Sequence, residues 1–214
     1  MQKYISEFIG TFILLVSIVG SGIAGQQYTN DQMVILVSHA VVIGLTLIFI
    51  IGIFANFSGA HFNPIVSILF FLQKELSKKD LFLFISIQIT AAILGTIFAN
   101  YIFGLSIVEI SSNIRSGTNI YISEIFASFG LLMVILLSKV GGKNIVAFNV
   151  GIYITAAIIF TSSASFANPA VSIARIFTES FAGINPSTVI FFIGSQVIGM
   201  FGAYFLYNYL FKTK

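Results

Sequence analysis

Long apolar runs alternate with short polar segments along the whole chain. Six runs approach or exceed the length of about 20 residues that a helix needs to cross a bilayer. They cover roughly residues 4–24, 33–54, 80–104, 120–140, 145–162 and 187–210. Two shorter apolar segments, 63–72 and 168–178, follow spans two and five. We interpret them as re-entrant half-helices, so the pattern predicts an all-α membrane protein with six transmembrane helices and two half-helices.

This arrangement occurs twice in the chain. The segment FNPIVSI at 62–68 returns 105 residues later as ANPAVSI at 167–173. Each repeat, about 1–106 and about 118–214, holds three spans and one half-helix. Because three is odd, the second copy enters the membrane from the opposite side, which predicts an inverted 3+3 repeat. Paired interrupted segments in matching halves indicate a permeation site near the midplane.

Each half-helix begins with an Asn-Pro pair. Asn is a good N-cap and Pro is favoured next to it, so a single pair would indicate only a helix start. Two pairs in matching positions indicate that two helix N-termini converge at one point. Their partial positive charges disfavour a cation or a travelling proton there. Asn63 and Asn168 each carry an amide that can donate to the oxygen of a passing molecule.

Composition and charge agree with a membrane location. The chain is 57% hydrophobic and 8% charged, whereas soluble domains carry about 25% charged residues. When the chain is threaded through six spans, all eight lysines fall on one face, and Arg115 and Arg175 lie opposite. The lysines are Lys3, Lys74, Lys78, Lys79, Lys139, Lys143, Lys212 and Lys214. The positive-inside rule then predicts a multi-pass protein of the cell (inner) membrane with both termini cytoplasmic.

Several other classes are disfavoured. The N-terminal apolar run is similar to a signal peptide, but it contains Glu7 and recurs mid-chain, so we assign it as span one. The chain has no cysteine and no metal-ligand spacing, which predicts no cofactor and no metal. The charge is not a nucleic-acid footprint. An enzyme would need clustered carboxylates, histidines or a nucleophile–base pair, and a scaffold would need larger loops.

The motifs resemble those of the aquaporin and aquaglyceroporin (major intrinsic protein) family. The resemblance covers the whole chain as one channel domain, 1–214, and rests on SGAHFNP at 58–64, NPA at 168–170, and Glu7 and Glu124. It implies a bundle of six helices and two half-helices, assembled as a homotetramer in the lipid bilayer with one pore per subunit. The pore motifs would be Asn63, Pro64, Ile65, Asn168, Pro169 and Ala170, with Ile65 in place of the usual Ala.

The resemblance also implies roles for buried polar residues. Glu7 and Glu124 would brace the re-entrant loops by accepting backbone N–H bonds; the rival interpretation is a proton relay. His61 would line the cytoplasmic half of the pore, or be a core histidine with satisfied hydrogen bonds.

Two further polar residues belong to the outer mouth in this interpretation. His39 lies one turn before the filter position in span two, or is a helix-end histidine satisfied by a loop. Arg175 either reaches the outer vestibule or is an interfacial residue paired with Glu179; the second interpretation is favoured.

The filter departs from the family pattern. Family filters carry an arginine three residues after the second Asn, where this chain has Val171. Ile43 stands where water-selective members have an aromatic residue, and Ser165 is the loop position. The position in span five is open among Ala156, Ala157 and Ile158. The predicted filter is Ile43, Ile158, Ser165 and Val171.

Such a ring is apolar and has no fixed cation. It resembles the bacterial subgroup with valine in place of the filter arginine, some of whose members move neutral metalloid acids such as arsenite. We therefore expect a passive channel for small neutral solutes, polyols or metalloid acids, and for water. The alternative is a strict water channel.

Overall fold

The computed structural model describes residues 1–211; Lys212 and Lys214, which contribute to the charge pattern, lie outside these residues. Within them the fold consists of helices joined by loops and 3-10 turns. The long helices are α1 (Gln2–Tyr28), α2 (Gln32–Phe54), α4 (Lys78–Ile102), α5 (Thr118–Ser138), α6 (Lys143–Phe160) and α8 (Pro186–Leu210). The short ones are α3 (Pro64–Leu72) and α7 (Pro169–Ala174). Turns Lys139–Gly141 and Arg175–Phe177 follow α5 and α7.

All six long helices have the length and composition of membrane spans, so the predicted fold class is confirmed. Some bounds differ from the sequence prediction. Span one was placed at 4–24, but α1 continues to Tyr28 because Gln26 and Gln27 extend the helix beyond the apolar run. The second half-helix was placed at 168–178, but its α-helical part ends at Ala174 and a 3-10 turn completes it.

The two halves pack in the same way. Helix α1 packs against α4, and its counterpart α5 packs against α8. Helix α2 packs against its own counterpart, α6. This last crossing is close: a Cβ on Gly44 would lie 2.7 Å from the Gly151 carbonyl oxygen, and a Cβ on Gly151 would lie 2.5 Å from the Gly44 carbonyl oxygen. Small residues let helix backbones approach in this way within a membrane.

The α1–α4 and α5–α8 pairs depend on small residues as well. A Cβ on Gly95 would lie 2.6 Å from the Phe12 carbonyl oxygen, and one on Gly199 would lie 2.5 Å from the Ile125 carbonyl oxygen. In both cases the obstacle is the backbone of the neighbouring helix, which cannot rotate away as a side chain can. These contacts hold the outer helices tightly around the centre of the bundle.

We expect Gly199→Val to destabilise the fold, because the added atoms meet the α5 backbone and overpacking costs about 1–3 kcal/mol or more. Thermal unfolding in detergent, followed by size-exclusion chromatography, measures the loss. Gly194→Val is the matched control, since no atom lies within 4 Å of a Cβ there. Equal unfolding temperatures for the two variants would contradict this account of the α5–α8 contact.

Ion pairs tie one end of the bundle together. Lys3 Nζ lies 2.8 Å from Asp80 Oδ2 and joins the starts of α1 and α4. Lys139 Nζ lies 2.6 Å from Glu75 Oε1 and joins the end of α5 to the loop after α3. Both arginines of the chain lie in the segments at the opposite end. Within residues 1–211, the paired lysines therefore lie at one end of the helix bundle and the arginines lie at the other end.

Candidate functional site: a channel between the two half-helices

The two half-helices begin side by side at the centre of the bundle. Asn63 Oδ1 accepts the Ile65 N–H at 3.1 Å, and Asn168 Oδ1 accepts the Ala170 N–H at 3.0 Å. The predicted capping is therefore present. Each amide also crosses to the other half: Asn63 Nδ2 donates to the Ala167 carbonyl, and Asn168 Nδ2 donates to the Phe62 carbonyl, both at 2.8 Å.

These crossed bonds use one N–H of each amide group. An amide nitrogen carries two hydrogens, so the second N–H of each asparagine is free to face the channel. The positive ends of both half-helices converge at the same level. A neutral oxygen-bearing molecule finds two donors here, whereas a cation meets unfavourable charge.

The loops before the half-helices adopt strained backbone conformations. Left-handed φ values between 44° and 89° occur at equivalent positions in both loops. These positions are Gly59, Ala60 and Phe62 in the first loop, and Ala164, Ser165 and Ala167 in the second. Outside glycine, such conformations cost roughly 1 kcal/mol or more each, and they persist only when their surroundings hold them.

The Glu7 carboxylate holds the first loop. Its Oε1 accepts from Ser58 Oγ at 2.6 Å and from the His61 N–H at 2.9 Å. Its Oε2 accepts from the Phe62 N–H and from Gln88 Nε2, both at 2.8 Å. All four partners are donors, and the side chain is fully buried. The carboxylate thus supplies acceptors to backbone groups that no helix can satisfy.

The Glu124 carboxylate, on α5, accepts hydrogen bonds from the second loop in the same way. It accepts from the Phe166 N–H at 3.2 Å, the Ala167 N–H at 2.5 Å and Gln196 Nε2 at 2.8 Å. The contacts of both carboxylates fit the bracing interpretation. A proton relay would need titratable groups joining the two, and the partners seen here are amides and hydroxyls. Gln88 and Gln196, which donate to the two carboxylates, were not singled out in the sequence analysis.

A narrow cavity of about 70 Å³ runs between the half-helices and the four helices α1, α2, α5 and α6. It is lined mostly by aliphatic side chains. Nine of the residues singled out from the sequence line it: Asn63, Asn168, Ile43, Ile158, Ser165, Val171, His61, His39 and Arg175. The remaining ones, Pro64, Ile65, Pro169, Ala170, Glu7 and Glu124, are buried behind it.

The structure distinguishes the three candidates in span five. Ile158 lines the cavity and is 2% exposed. Ala157 is buried but does not line the cavity, and Ala156 is exposed on the outer side of α6. Ser165 contributes a hydroxyl that is buried without a hydrogen-bond partner within residues 1–211. The other three residues of the predicted filter, Ile43, Ile158 and Val171, are aliphatic and line the same cavity.

His61 combines both interpretations considered from the sequence. Its ring lines the cavity, and its Nδ1 lies 3.0 Å from Ser67 Oγ. Ser67 Oγ also accepts from Gln88 Nε2, so the histidine is linked through Ser67 to the residue that donates to the Glu7 carboxylate. Phe70 and Phe84 pack against the ring and fix its orientation.

Arg175 occupies a different place from the favoured sequence interpretation. It is only 3% exposed and lines the cavity, so it is not a residue extended to the interface. Its Nε donates to the Ala182 carbonyl. Glu179, the proposed partner, instead accepts from the backbone and hydroxyl of Ser112 at 2.5 and 2.6 Å; these bonds hold the pKa of Glu179 below its usual range.

An aromatic ring at the arginine-bearing end of the cavity was missed by the sequence argument. Phe166 lines the cavity and carries the Arg175 guanidinium 3.5 Å from its ring centroid. The Arg115 guanidinium lies 5.4 Å from the same centroid, and burial lowers the pKa of Arg115. The available signal was the repeat itself, since Phe166 matches His61 at the 105-residue offset. His39 completes the mouth, with its Nδ1 2.8 Å from Ser21 Oγ.

A wider vestibule of about 410 Å³ lies at the lysine-bearing end. Lys139 is one of its charged residues; both Glu75 oxygens accept from Lys139 Nζ, at 2.6 and 2.7 Å. Lys143 Nζ donates to Asn56 Oδ1 at 2.9 Å. The cavity and this vestibule share Ile51, Val66, Ile135 and Val150. The molecule thus contains one continuous row of lining residues from the arginine-bearing end to the lysine-bearing end.

Comparisons with known proteins agree with this geometry. The family model for the major intrinsic protein matches residues 1–165. The aquaglyceroporin AqpS of Rhizobium meliloti (strain 1021) is 38% identical over 209 residues, which cover 98% of this chain and 90% of that protein. Nodulin-26 of Glycine max is 27% identical over 137 residues, covering 63% of this chain and 50% of that protein.

A solved structure shows the same fold. The X-ray structure of the aquaglyceroporin from Plasmodium falciparum superposes with a TM-score of 0.69 and 21% sequence identity, covering 98% of this chain and 96% of that one. The family match, the relative aligned over nearly the whole chain and the central channel agree. The chain belongs to the major intrinsic protein family, and it is a passive membrane channel for small neutral solutes rather than an enzyme.

Proposed function

We propose that this channel conducts small hydroxylated solutes, polyols or neutral metalloid acids such as arsenite, together with water. The observation that carries the proposal is the composition of the narrow ring: Ile43, Ile158 and Val171 are aliphatic, and Ser165 offers one hydroxyl. The relative with 38% identity is named an aquaglyceroporin, which supports the same solute class.

The physical reason is the balance of hydrogen bonds. A water molecule that enters the ring leaves its hydrogen-bond partners and finds few replacements, and an unmet hydrogen bond in an apolar environment costs a few kcal/mol. A larger solute with carbon or metalloid at its centre contacts the aliphatic side chains with more of its surface. The ring therefore favours solutes with apolar edges over water.

In this proposal the central asparagines act on every solute that passes. The free N–H groups of Asn63 and Asn168 donate to its oxygens, and the His61 ring lines the pathway on the lysine side. The converging half-helix ends exclude cations. Glu7 and Glu124 do not touch the solute; they hold the two loops in place.

We further propose that the channel domain spans residues 1–214 and assembles as a homotetramer in the inner membrane, with both termini cytoplasmic. The segregation of lysines at one end supports the orientation. Exposed apolar side chains along α2 and α6, such as Leu45, Phe49 and Phe148, need a cover of lipid or a second copy.

Stopped-flow light scattering on proteoliposomes tests the proposed solute class. We expect wild-type flux of glycerol and of arsenous acid well above that of protein-free liposomes, with modest water flux. Ile158→Trp should abolish the added flux, since that side chain lines the cavity. Ile198→Trp is the matched control, because Ile198 is exposed on α8, away from the α2 and α6 faces that a second copy would cover. Fast water flux with both solutes excluded would instead make the protein a strict water channel.

A further inference from the structure

Two guanidinium groups share one aromatic ring at the outer mouth. Arg175 and Arg115 both lie over Phe166. Neither arginine takes part in an ion pair within residues 1–211, where the ion pairs are Lys3–Asp80 and Lys139–Glu75. Arg175 is only 3% exposed, and a positive charge buried this deeply without an ion-pair partner is unusual, because desolvation of an unpaired ion is costly.

The hydrogen bonds of Arg175 leave most of its donors unused. A guanidinium carries five N–H groups, and in the described part of the chain only the one on Nε has an acceptor, the Ala182 carbonyl. Neither terminal nitrogen of Arg175 belongs to the fully buried polar atoms that lack a hydrogen-bond partner. The side chain also lines the channel cavity. The free fork of Arg175 therefore opens onto the channel.

Arg115 differs in this respect. Its Nε donates to the Gly183 carbonyl at 3.0 Å and its Nη2 donates to the Phe181 carbonyl at 2.8 Å. These bonds hold the outer loops together and leave Arg115 as a fixed positive charge behind the Phe166 ring. The carbonyl of Ala182, held by Arg175, belongs to the same loop. Loop packing thus determines where both guanidinium groups lie.

Nearby carboxylates are committed elsewhere. Glu179 is held by Ser112 at the surface, and Glu124 is occupied by the second re-entrant loop and Gln196. The remaining titratable group at the mouth is His39, whose Nδ1 contacts Ser21 and whose ring packs edge-on against Phe181. The mouth therefore has positive charge and free donors, and no carboxylate within residues 1–211 forms an ion pair with either arginine.

A guanidinium fork matches the oxygens of a carboxylate or another planar oxyanion, and such bonds are stronger than neutral ones. Farther in, Ile43, Ile158 and Val171 cannot replace the hydration of an ion, so an anion bound at the fork cannot continue. We propose that the outer mouth is a binding site for small inorganic oxyanions, held by the terminal N–H groups of Arg175, and that a bound oxyanion obstructs the channel.

Nitrate is a suitable probe, because it is planar, monovalent and fully ionised. Proteoliposomes are prepared with sodium nitrate on both sides, since reconstituted channels face both ways, and sodium gluconate keeps the ionic strength constant. We expect the wild-type flux, measured with water or the best-conducted solute, to fall by about threefold or more and to level off at high nitrate. Half of the effect should be reached at millimolar nitrate, the affinity expected of one weak charge-assisted contact.

Arg175→Gln should remove the nitrate dependence, and Arg175→Lys, which keeps the charge without the fork, should shift the half-effect to higher nitrate. Lys139→Met is the matched control: that lysine lies 4.7 Å from the Phe70 ring centroid but is paired with Glu75, so its removal should leave nitrate inhibition intact. Wild-type flux that is equal in nitrate and gluconate, or inhibition retained by Arg175→Gln, overturns the proposal.

Binding is also measurable without transport. Nitrate should raise the thermal unfolding temperature of the wild-type protein in detergent relative to gluconate, because a ligand of the folded state stabilises it. Arg175→Gln, or Arg175→Lys if the former does not fold, should lose most of this shift. A shift that the variants keep places the ion elsewhere and overturns the assignment. This assay remains informative even if the proposed solute class is wrong.

Discussion

Replacing Val171 with arginine is expected to lower glycerol and arsenous acid flux by at least about tenfold. A difference of a few groups in the shape of a binding pocket changes the discrimination between substrates by about this factor. Val171 is 2% exposed and faces the cavity with Ile43 and Ile158. A long cationic side chain at position 171 narrows the channel, and its N–H groups can donate hydrogen bonds to passing water molecules. Water flux should fall much less than solute flux. Stopped-flow light scattering on the same proteoliposomes measures both.

The control for this variant is Val171→Met, which adds length without charge or donors. It should reduce water and solute flux together, since it only narrows the ring. The new arginine would also lie one turn before Arg175, and like charges at this spacing destabilise a helix by a few tenths of a kcal/mol. Folding is therefore checked by size-exclusion chromatography. Solute flux that survives Val171→Arg in a folded protein would place the selective ring elsewhere.

Replacing Glu7 with alanine is expected to have the largest effect on stability. Three buried donors and the part-buried Ser58 hydroxyl would lose their acceptor. Each unsatisfied buried donor costs about 1–3 kcal/mol, so the loss should reach at least about 3 kcal/mol. The first loop would also lose the bonds that hold Phe62 at a φ of 50°. We expect little folded protein in detergent extracts and a much lower thermal unfolding temperature for what remains.

Glu109→Ala provides the comparison for the Glu7 variant. Glu109 is an exposed loop carboxylate, and surface substitutions away from specific contacts usually change stability by less than about 0.5 kcal/mol. The equivalent variant in the second half, Glu124→Ala, should behave like Glu7→Ala. A Glu7→Ala protein as stable as Glu109→Ala would show that the first loop holds its shape by other means.

The fold was largely predictable from the sequence because its strongest determinants are local patterns along the chain. Six apolar runs specify six spans, and two Asn-Pro pairs specify two helix starts whose capping bonds are present as expected. Helix ends were less well placed, because hydropathy falls at polar residues such as Gln26 while the helix continues.

The site was only partly predictable, since several of its contacts join distant loops. Ile43, Ser165 and Val171 were reached by counting from the two motifs, and they line the cavity. The span-five position stayed open because packing of α6 against α2 and α5 turns Ile158 toward the cavity, and counting along the chain does not reveal this rotation. Arg175 was misinterpreted for a similar reason. Its partners, Phe166 and Ala182, are brought to it by folding of the outer loops, which no local pattern encodes.

The crossed bonds between Asn63 and the Ala167 carbonyl, and between Asn168 and the Phe62 carbonyl, have a consequence for how the protein is made. During translation the first half emerges more than 100 residues before its counterpart, and until then its central amide has no native acceptor. The conducting pathway is therefore completed late, by the last third of the chain. A product that ends before residue 167 lacks both the acceptor of Asn63 and the second central amide, so it contains no complete pathway of this design.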